Sequence, residues 1–103
     1  MLFQVIMFPT STGKSSVSAE VARVIDLIDR SGLPYKLGAM ATVIEGEWEP
    51  VMALLNRARR MLRRRGHERV YMVITIDDRK GAKNRLAGKV LSVEEKLGRE
   101  VMK

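Results

Sequence analysis

Hydrophobic residues in the first third of the chain change from a continuous run to a helical period. Residues 2–8 form a short apolar run that stops at Pro9, and this pattern predicts a first strand. From Val17, apolar residues recur at helical spacing as far as Ile28, with charged residues including Glu20 on the other side. Gly32 is placed to end this helix.

The middle of the chain predicts a hairpin and a second helix. Two strand-like pieces, Tyr35–Leu37 and Thr42–Glu45, are joined by a short connection at residues 38–41. Pro50 suits the first turn of the following helix, and Gly66 suits its end. The apolar stripe of that helix consists of Val51, Leu54, Leu55, Ala58 and Leu62.

The last third begins with an alternating segment, residues 69–77. One phase is strongly apolar and the other is mixed, which predicts a fourth strand with two different faces. Residues 81–89 are polar and contain glycine, and we interpret them as a loop. Residues 90–98 are expected to form a short final helix that ends at Gly98.

The predicted order of elements indicates an α+β fold. Strand, helix, strand, strand, helix, strand is the βαββαβ pattern of a ferredoxin-like sandwich, here with a short extra C-terminal helix. We expect a single domain over residues 1–103. Right-handed crossovers then place the first two helices on one face of a four-stranded antiparallel sheet.

The other face of this sheet is too apolar to face water. If the strongly apolar phases of strands one and four point to the helices, the open face carries Ile6, Phe8, Tyr71, Val73 and Thr75. Large exposed apolar patches usually mark binding surfaces. We therefore expect a homo-oligomer, a dimer or a tetramer, whose subunits cover this face with the same sheet of another copy.

Composition restricts the class of protein. The chain has 103 residues and no cysteine, which excludes disulfides and thiolate metal sites. No apolar run approaches the ~18 residues of a membrane span, and the N-terminal run lacks the flanks of a signal peptide. A cytoplasmic protein without a membrane partner is expected.

The net charge of +7 raises nucleic acid or another polyanion as a partner. Much of the positive charge lies in residues 57–69 and 78–85, but the aromatic residues that stack on bases are few near these clusters. Arg57, Arg60 and Arg64 recur on a polar helix face, and exposure of this face to solvent is the favoured explanation for its arginines. Polyanion binding through this second helix stays an alternative function.

Gly13, Lys14 and Ser15 imitate the end of a phosphate-binding P-loop. The glycine that such a loop requires five residues before Gly13 is Phe8 here, and Pro9 has no N–H to donate to a phosphate. We expect no NTPase activity. One of Ser15, Ser16 or Ser18 is expected to cap the first helix instead.

Four segments together resemble one known family. The loop over residues 9–13 with "SVS" (residues 16–18), then "SGLPYKL", "MATVIEGEW" and "ERVYMVITIDDR", are similar to the small single-domain thiamine-binding proteins, which are YkoF-related. The similarity covers nearly the whole chain. Where relatives usually have glycine between the methionine and threonine of the hairpin, this chain has Ala41.

The resemblance implies a ferredoxin-like subunit that assembles through its sheets and binds thiamine or its hydroxymethylpyrimidine part without turning it over. Such a ligand needs a carboxylate, hydroxyls and an apolar or aromatic wall. The matching segments contain these groups, and the candidate ligand-binding residues are Phe8, Ser16, Ser18, Thr42, Glu45, Tyr71, Thr75 and Asp77. No other cofactor is expected.

Structural alternatives exist for several of these residues. Glu45 could instead complement the start of the second helix, as could Glu49. Asp77 could form a local ion pair and turn with its neighbours. Period-2 alternation places Thr42 and Glu45 on opposite faces, so both cannot line one site from mid-strand.

Neither a catalytic nor a metal site is predicted. His67 is the only histidine, and we expect it to be exposed in the turn after the second helix, a poor position for a metal ligand or a catalyst. No nucleophile and base stand out as a pair. A purely structural or regulatory oligomer is therefore a further alternative to a binding protein.

Overall fold

The computed structural model describes residues 1–10 and 17–102, and its elements follow the predicted order. They are β1 (Leu2–Pro9), α1 (Val17–Arg30), β2 (Tyr35–Leu37), β3 (Thr42–Glu45), α2 (Trp48–Arg64), β4 (Val70–Asp77) and α3 (Arg85–Leu97). The prediction of an α+β ferredoxin-like fold with an additional C-terminal helix is confirmed.

The described strands form one antiparallel sheet in the order β2-β3-β1-β4. β1 is central and pairs with β4 along its whole length, from Leu2 opposite Asp77 to Pro9 opposite Val70. Its pairing with β3 is shorter and ends where Val5 lies opposite Thr42. The far end of β1 therefore lacks a strand on one side within the described chain.

The core lies between the sheet and the first two helices. Alternation along β1 directs Phe3, Val5 and Met7 toward the helices, where all three are buried. α1 contributes Val24 and Ile28, and the residues buried from α2 are Val51, Leu54, Leu55, Ala58 and Leu62. The stripe predicted for the second helix is thus its buried face.

The predicted helix ends also agree with the structure. α1 ends at Arg30, and Gly32 follows with φ +78°. After α2, Gly66 takes φ +93°, a left-handed conformation that residues with a Cβ adopt at a cost. These glycines allow the chain to leave each helix and enter the next strand.

The start of the final helix was predicted wrongly. α3 begins at Arg85, so residues 85–89 are helical and only the first part of residues 81–89 is loop. Asn84 precedes the helix with a left-handed φ of 55° and forms no side-chain cap. The cap comes from another element: the Glu45 carboxylate accepts hydrogen bonds from the backbone N–H of Arg85 at 2.8 Å and of Leu86 at 3.3 Å.

α3 lies against one end of the sheet face that points away from α1 and α2, which we call the open face. None of the α3 residues is buried, and hydrogen bonds to Glu45 and Asp77 attach its first residues to the sheet. No helix within the described residues is long and apolar enough to cross a membrane.

Candidate functional site

One cavity lies between α1 and the far end of β1, and we call it the α1 cavity. Its volume is about 250 Å³. Its walls are β1, the inner side of α1 and the β2–β3 turn; the lining residues are Val5, Ile6, Met7, Phe8, Val21, Val24, Ile25, Ile28, Leu37, Gly38, Ala39, Met40, Ala41 and Thr42.

The α1 cavity exists because β3 is shorter than β1. Since β3 starts at Thr42, no described strand pairs with the β3 side of β1 beyond Val5. Alternate residues of an antiparallel strand direct their backbone groups to opposite neighbours, so part of the Ile6–Phe8 backbone faces the cavity.

The β2–β3 turn closes the α1 cavity and is tightly built. The Gly38 N–H donates to the Ala41 carbonyl at 2.9 Å. A Cβ at Gly38 would lie 2.7 Å from that carbonyl oxygen, so the turn requires glycine there. Ala41 takes part in this turn through its carbonyl, which accepts that hydrogen bond.

The chemistry of the α1 cavity is mostly apolar. Among its described lining residues, Thr42 is the only one with a polar side chain, and Phe8 borders the cavity from β1 while its ring packs against Tyr71 on the open face. Of the predicted site residues, the lining includes these two, but their side chains point to opposite faces of the sheet. Such a cavity can hold a flat, neutral ring whose polar edge meets backbone groups.

A second cavity, the α3 cavity, lies on the open face beneath α3. Its volume is about 350 Å³, and it contains Thr75 and Asp77 of the predicted site residues. The full lining is Leu2, Gln4, Lys36, Val43, Thr75, Asp77, Arg85, Leu86, Lys89 and Val90. The predicted site residues are thus divided between the two faces of the sheet, because alternation places Thr42 inside and Thr75 outside.

Glu45 and Asp77 both hold α3. Glu45 caps its first turn, and the Asp77 Oδ2 atom lies 2.6 Å from Nη1 of Arg85. Of the structural alternatives, the one that assigns Glu45 to the start of α2 does not hold for this carboxylate, whereas Glu49 does lie in the first turn of α2. Asp77 forms an ion pair, but with Arg85 and not with its immediate neighbours. The helix that provides both partners begins at Arg85, which is 40 residues after Glu45 and eight residues after Asp77.

The remaining predicted residues lie apart from these contacts. Tyr71 stacks on Phe8 across the open face, with ring centroids 5.3 Å apart. Ser18 is exposed within the first turn of α1, so it is not the residue that precedes the helix and caps it. Ser16 and the segment "TGKS" lie outside the described residues.

A buried cluster of charged groups was missed by the sequence analysis. Glu20, expected on the polar side of α1, is fully buried, and His67, expected to be exposed, is 6% exposed. The Glu20 Oε2 atom lies 2.6 Å from His67 Nε2 and 2.9 Å from Arg65 Nε. The Arg65 hydrogen bond lowers the pKa of the Glu20 carboxyl below 4.5, against the opposing effect of burial, and His67 lowers it further.

A signal for this cluster is present in the sequence. Glu20, Val24 and Ile28 follow each other at a spacing of four, so the carboxylate continues the buried stripe of α1. A buried carboxylate needs a cationic or hydrogen-bonding partner, and the segment "RRRGHER" after α2 supplies both. The cluster ties α1 to the end of α2.

Within the described residues, no three histidine, cysteine, aspartate or glutamate side chains come together to hold a metal ion. The Glu20 cluster joins a buried carboxylate and a buried histidine to Arg65, whose side chain is 34% exposed.

Comparison with known proteins agrees with the fold. The structure has a TM-score of 0.79 with a domain of unknown function from Bacillus cereus, at 25% identity, covering 92% of this chain and 90% of that one. A Thermotoga maritima protein, provisionally described as a thiamine biosynthesis/salvage protein, gives a TM-score of 0.71 at 23% identity, covering 94% of each chain.

The fold and the apolar cavity define a small ferredoxin-like α+β protein. The chain belongs to the thiamine-binding protein family, whose model matches residues 3–94. A relative from Methanothermobacter thermautotrophicus, named UPF0045 protein, is 30% identical over 95 residues, which are 91% of this chain and 96% of the relative.

Proposed function

We propose that this protein binds thiamine, or its hydroxymethylpyrimidine part, in the α1 cavity. The observation that carries the proposal is an apolar cavity beside a strand edge that no described strand covers. Membership of the thiamine-binding protein family supports the choice of ligand.

The small volume of the α1 cavity favours the pyrimidine ring as the part of the ligand that is inserted. Its volume of about 250 Å³ is close to the lower limit of ~300 Å³ for small-molecule sites. A flat ring contacts the apolar side chains on the inner side of α1, while its amino group and ring nitrogens meet the backbone edge of β1. The thiazolium ring and its positive charge stay toward the solvent.

We also propose that the ligand is held without being turned over. The described lining of the α1 cavity contains one hydroxyl, from Thr42, and no carboxylate, histidine or cysteine. Acid–base catalysis requires a titratable group within hydrogen-bond reach of the reacting atoms. The proposal includes no further cofactor.

Calorimetric titration with hydroxymethylpyrimidine and with thiamine tests the proposal. Val21 is a half-buried helix residue on the cavity wall, and Val21→Phe fills the cavity, so affinity should fall at least about tenfold. The matched control is Val93→Phe on exposed α3, outside both cavities, which should leave affinity unchanged. Absence of heat and of thermal stabilisation at millimolar ligand would remove the proposal.

The same proposal includes self-association through the open face. Tyr71 and Val73 on β4 are 43% and 38% exposed, and both lie beside apolar side chains of β1. α3 lies against the other end of this face and leaves these residues uncovered. A second copy of the chain would bury them.

A second candidate function is polyanion binding through α2. Arg57, Arg60, Arg63 and Arg64 are exposed and form no salt bridge within the described residues. Retention of RNA or DNA that falls steeply with salt and weakens in Arg60→Ala/Arg64→Ala would support this function. Retention that is absent or independent of salt would exclude it.

A further inference from the structure

The α3 cavity has polar groups that are aligned by the register of the sheet. Lys36 lies opposite Val43, Val43 opposite Gln4, and Gln4 opposite Thr75. Residues paired across antiparallel strands share a face, so this row crosses the open face from β2 to β4. It supplies an ammonium, an amide and a hydroxyl along one side of the cavity.

The charges around the α3 cavity are not balanced. Arg85 pairs with Asp77 at 2.6 Å, and Glu45, the other carboxylate of the described strands, accepts hydrogen bonds from two backbone N–H groups and keeps its negative charge. Lys36 and Lys89 stand at the cavity from opposite sides, one on β2 and one on α3. Neither forms a salt bridge within the described part of the chain, and together with Arg85 the two lysines exceed the charges of Asp77 and Glu45 by one.

The rest of the α3 cavity is apolar. Leu2 and Val43 form its floor on the sheet, and Leu86 and Val90 form its wall on α3. A ligand that satisfies all of these groups has an apolar body and one anionic end. The body contacts the leucines and valines, and the anion lies between two ammonium groups with hydrogen-bond donors beside it.

We propose that the α3 cavity is a binding site for small organic anions, carboxylates or phosphate monoesters that carry an apolar group. The site is separate from the α1 cavity, on the other face of the sheet, and does not depend on the binding of thiamine. Its walls belong to two elements, and ligand binding links α3 to the sheet.

Phenyl phosphate is the probe for this site, with phenol and inorganic phosphate as its apolar and anionic halves. Titration of the whole protein, followed by backbone amide NMR shifts, should change the signals of Gln4, Val43, Thr75 and Leu86. The signals of α1 that report the α1 cavity should stay in place. Phenyl phosphate should bind at least about tenfold more tightly than either half, since only the complete probe uses both kinds of contact.

The charge requirement is tested by Lys36→Gln/Lys89→Gln, which should weaken phenyl phosphate binding about fivefold, as expected for two exposed charge pairs. Lys80→Gln/Lys83→Gln is the matched control, because it removes the same charge outside the cavity lining. An equal loss in the control, equal affinity for phenol or for phosphate, or shifts outside the cavity would overturn the proposal. Absence of binding at millimolar probe would overturn it as well.

Discussion

At the scale of single residues, Glu20 is the group on which the packing of the two long helices depends. Its carboxylate is fully buried and lies between His67 Nε2 at 2.6 Å and Arg65 Nε at 2.9 Å, with Arg23 Nε at 3.5 Å. A buried charge of this kind is stable because each of its oxygens is hydrogen-bonded. Replacement of the carboxylate by an amide removes the charge and one of the two acceptor oxygens, and it places an NH2 donor beside Arg65 or His67.

Glu20→Gln should therefore lower the free energy of unfolding by about 1–3 kcal/mol, the usual cost of leaving buried polar groups unsatisfied. Urea unfolding followed by circular dichroism measures this loss. Asp26→Asn is the control, since the Asp26–Arg30 pair lies on the exposed side of the same helix. The role assigned to Glu20 would be refuted by equal effects of the two substitutions.

The same carboxylate predicts a pH dependence of stability. Arg65 and then His67 hold the pKa of Glu20 below 4.5 in the folded protein, although burial opposes this. The resulting stabilisation is present above the ordinary pKa of 4.5 and is lost as the pH falls through the lower pKa of the folded state. Between about pH 6 and about pH 3, the wild-type protein should lose more stability than Glu20→Gln. Parallel pH profiles of the two proteins would contradict this expectation.

At the scale of elements, α3 differs from the other helices. α1 and α2 each bury an apolar stripe, so their bounds follow from periodicity, whereas α3 buries no residue and depends on Glu45 and Asp77. Local sequence around Arg85 contains Gly81 and Gly88 and has the composition of a loop. The first turn forms because a carboxylate from β3 satisfies two of its free N–H groups.

Glu45→Ala should loosen this turn by about 1 kcal/mol, the usual contribution of a helix cap. Amide hydrogen exchange in α3 should then be about fivefold faster, while exchange in β1 is unchanged. Glu47→Ala is the matched control, because Glu47 stands before α2 without a side-chain cap hydrogen bond. Unchanged exchange in α3 of Glu45→Ala would show that the cap does not hold the helix.

At the scale of the whole molecule, the open face is divided. α3 borders the end that contains Gln4 and Thr75, which line the α3 cavity, and it leaves Tyr71 and Val73 at the other end exposed. The apolar and aromatic side chains of the exposed end have the composition of an interface core. A second copy is the partner that the proposed function assigns to it.

Val73→Glu should separate such an assembly, because a carboxylate would be buried without a partner, at a cost of about 2 kcal/mol or more per interface. Light scattering over a range of protein concentrations measures the change. Val17→Glu, at an exposed position of α1 on the opposite side of the sheet, should leave the assembly intact. A wild-type protein that is monomeric in dilute neutral buffer would exclude this mode of self-association.

The elements whose burial is periodic follow from the amino-acid sequence. The alternation in β1 and β4, the helical stripes of α1 and α2, and Gly32 and Gly66 at helix ends predict the ferredoxin-like order and most element bounds. These signals are local, since each residue reports which side of its own element faces the core. They also predict that Thr42 and Glu45 point to opposite faces.

Which distant residues come into contact depends on the tertiary packing. Glu20 and His67 are 47 residues apart, and Glu45 and Arg85 are 40 residues apart. No local sequence pattern predicts either contact. The α1 cavity likewise arises from a difference in length between two paired strands, and the α3 cavity from a helix placed by a distant carboxylate. Pairing over such distances depends on how the elements pack, and the sequence pattern indicates only that a buried or strand-end carboxylate needs a partner.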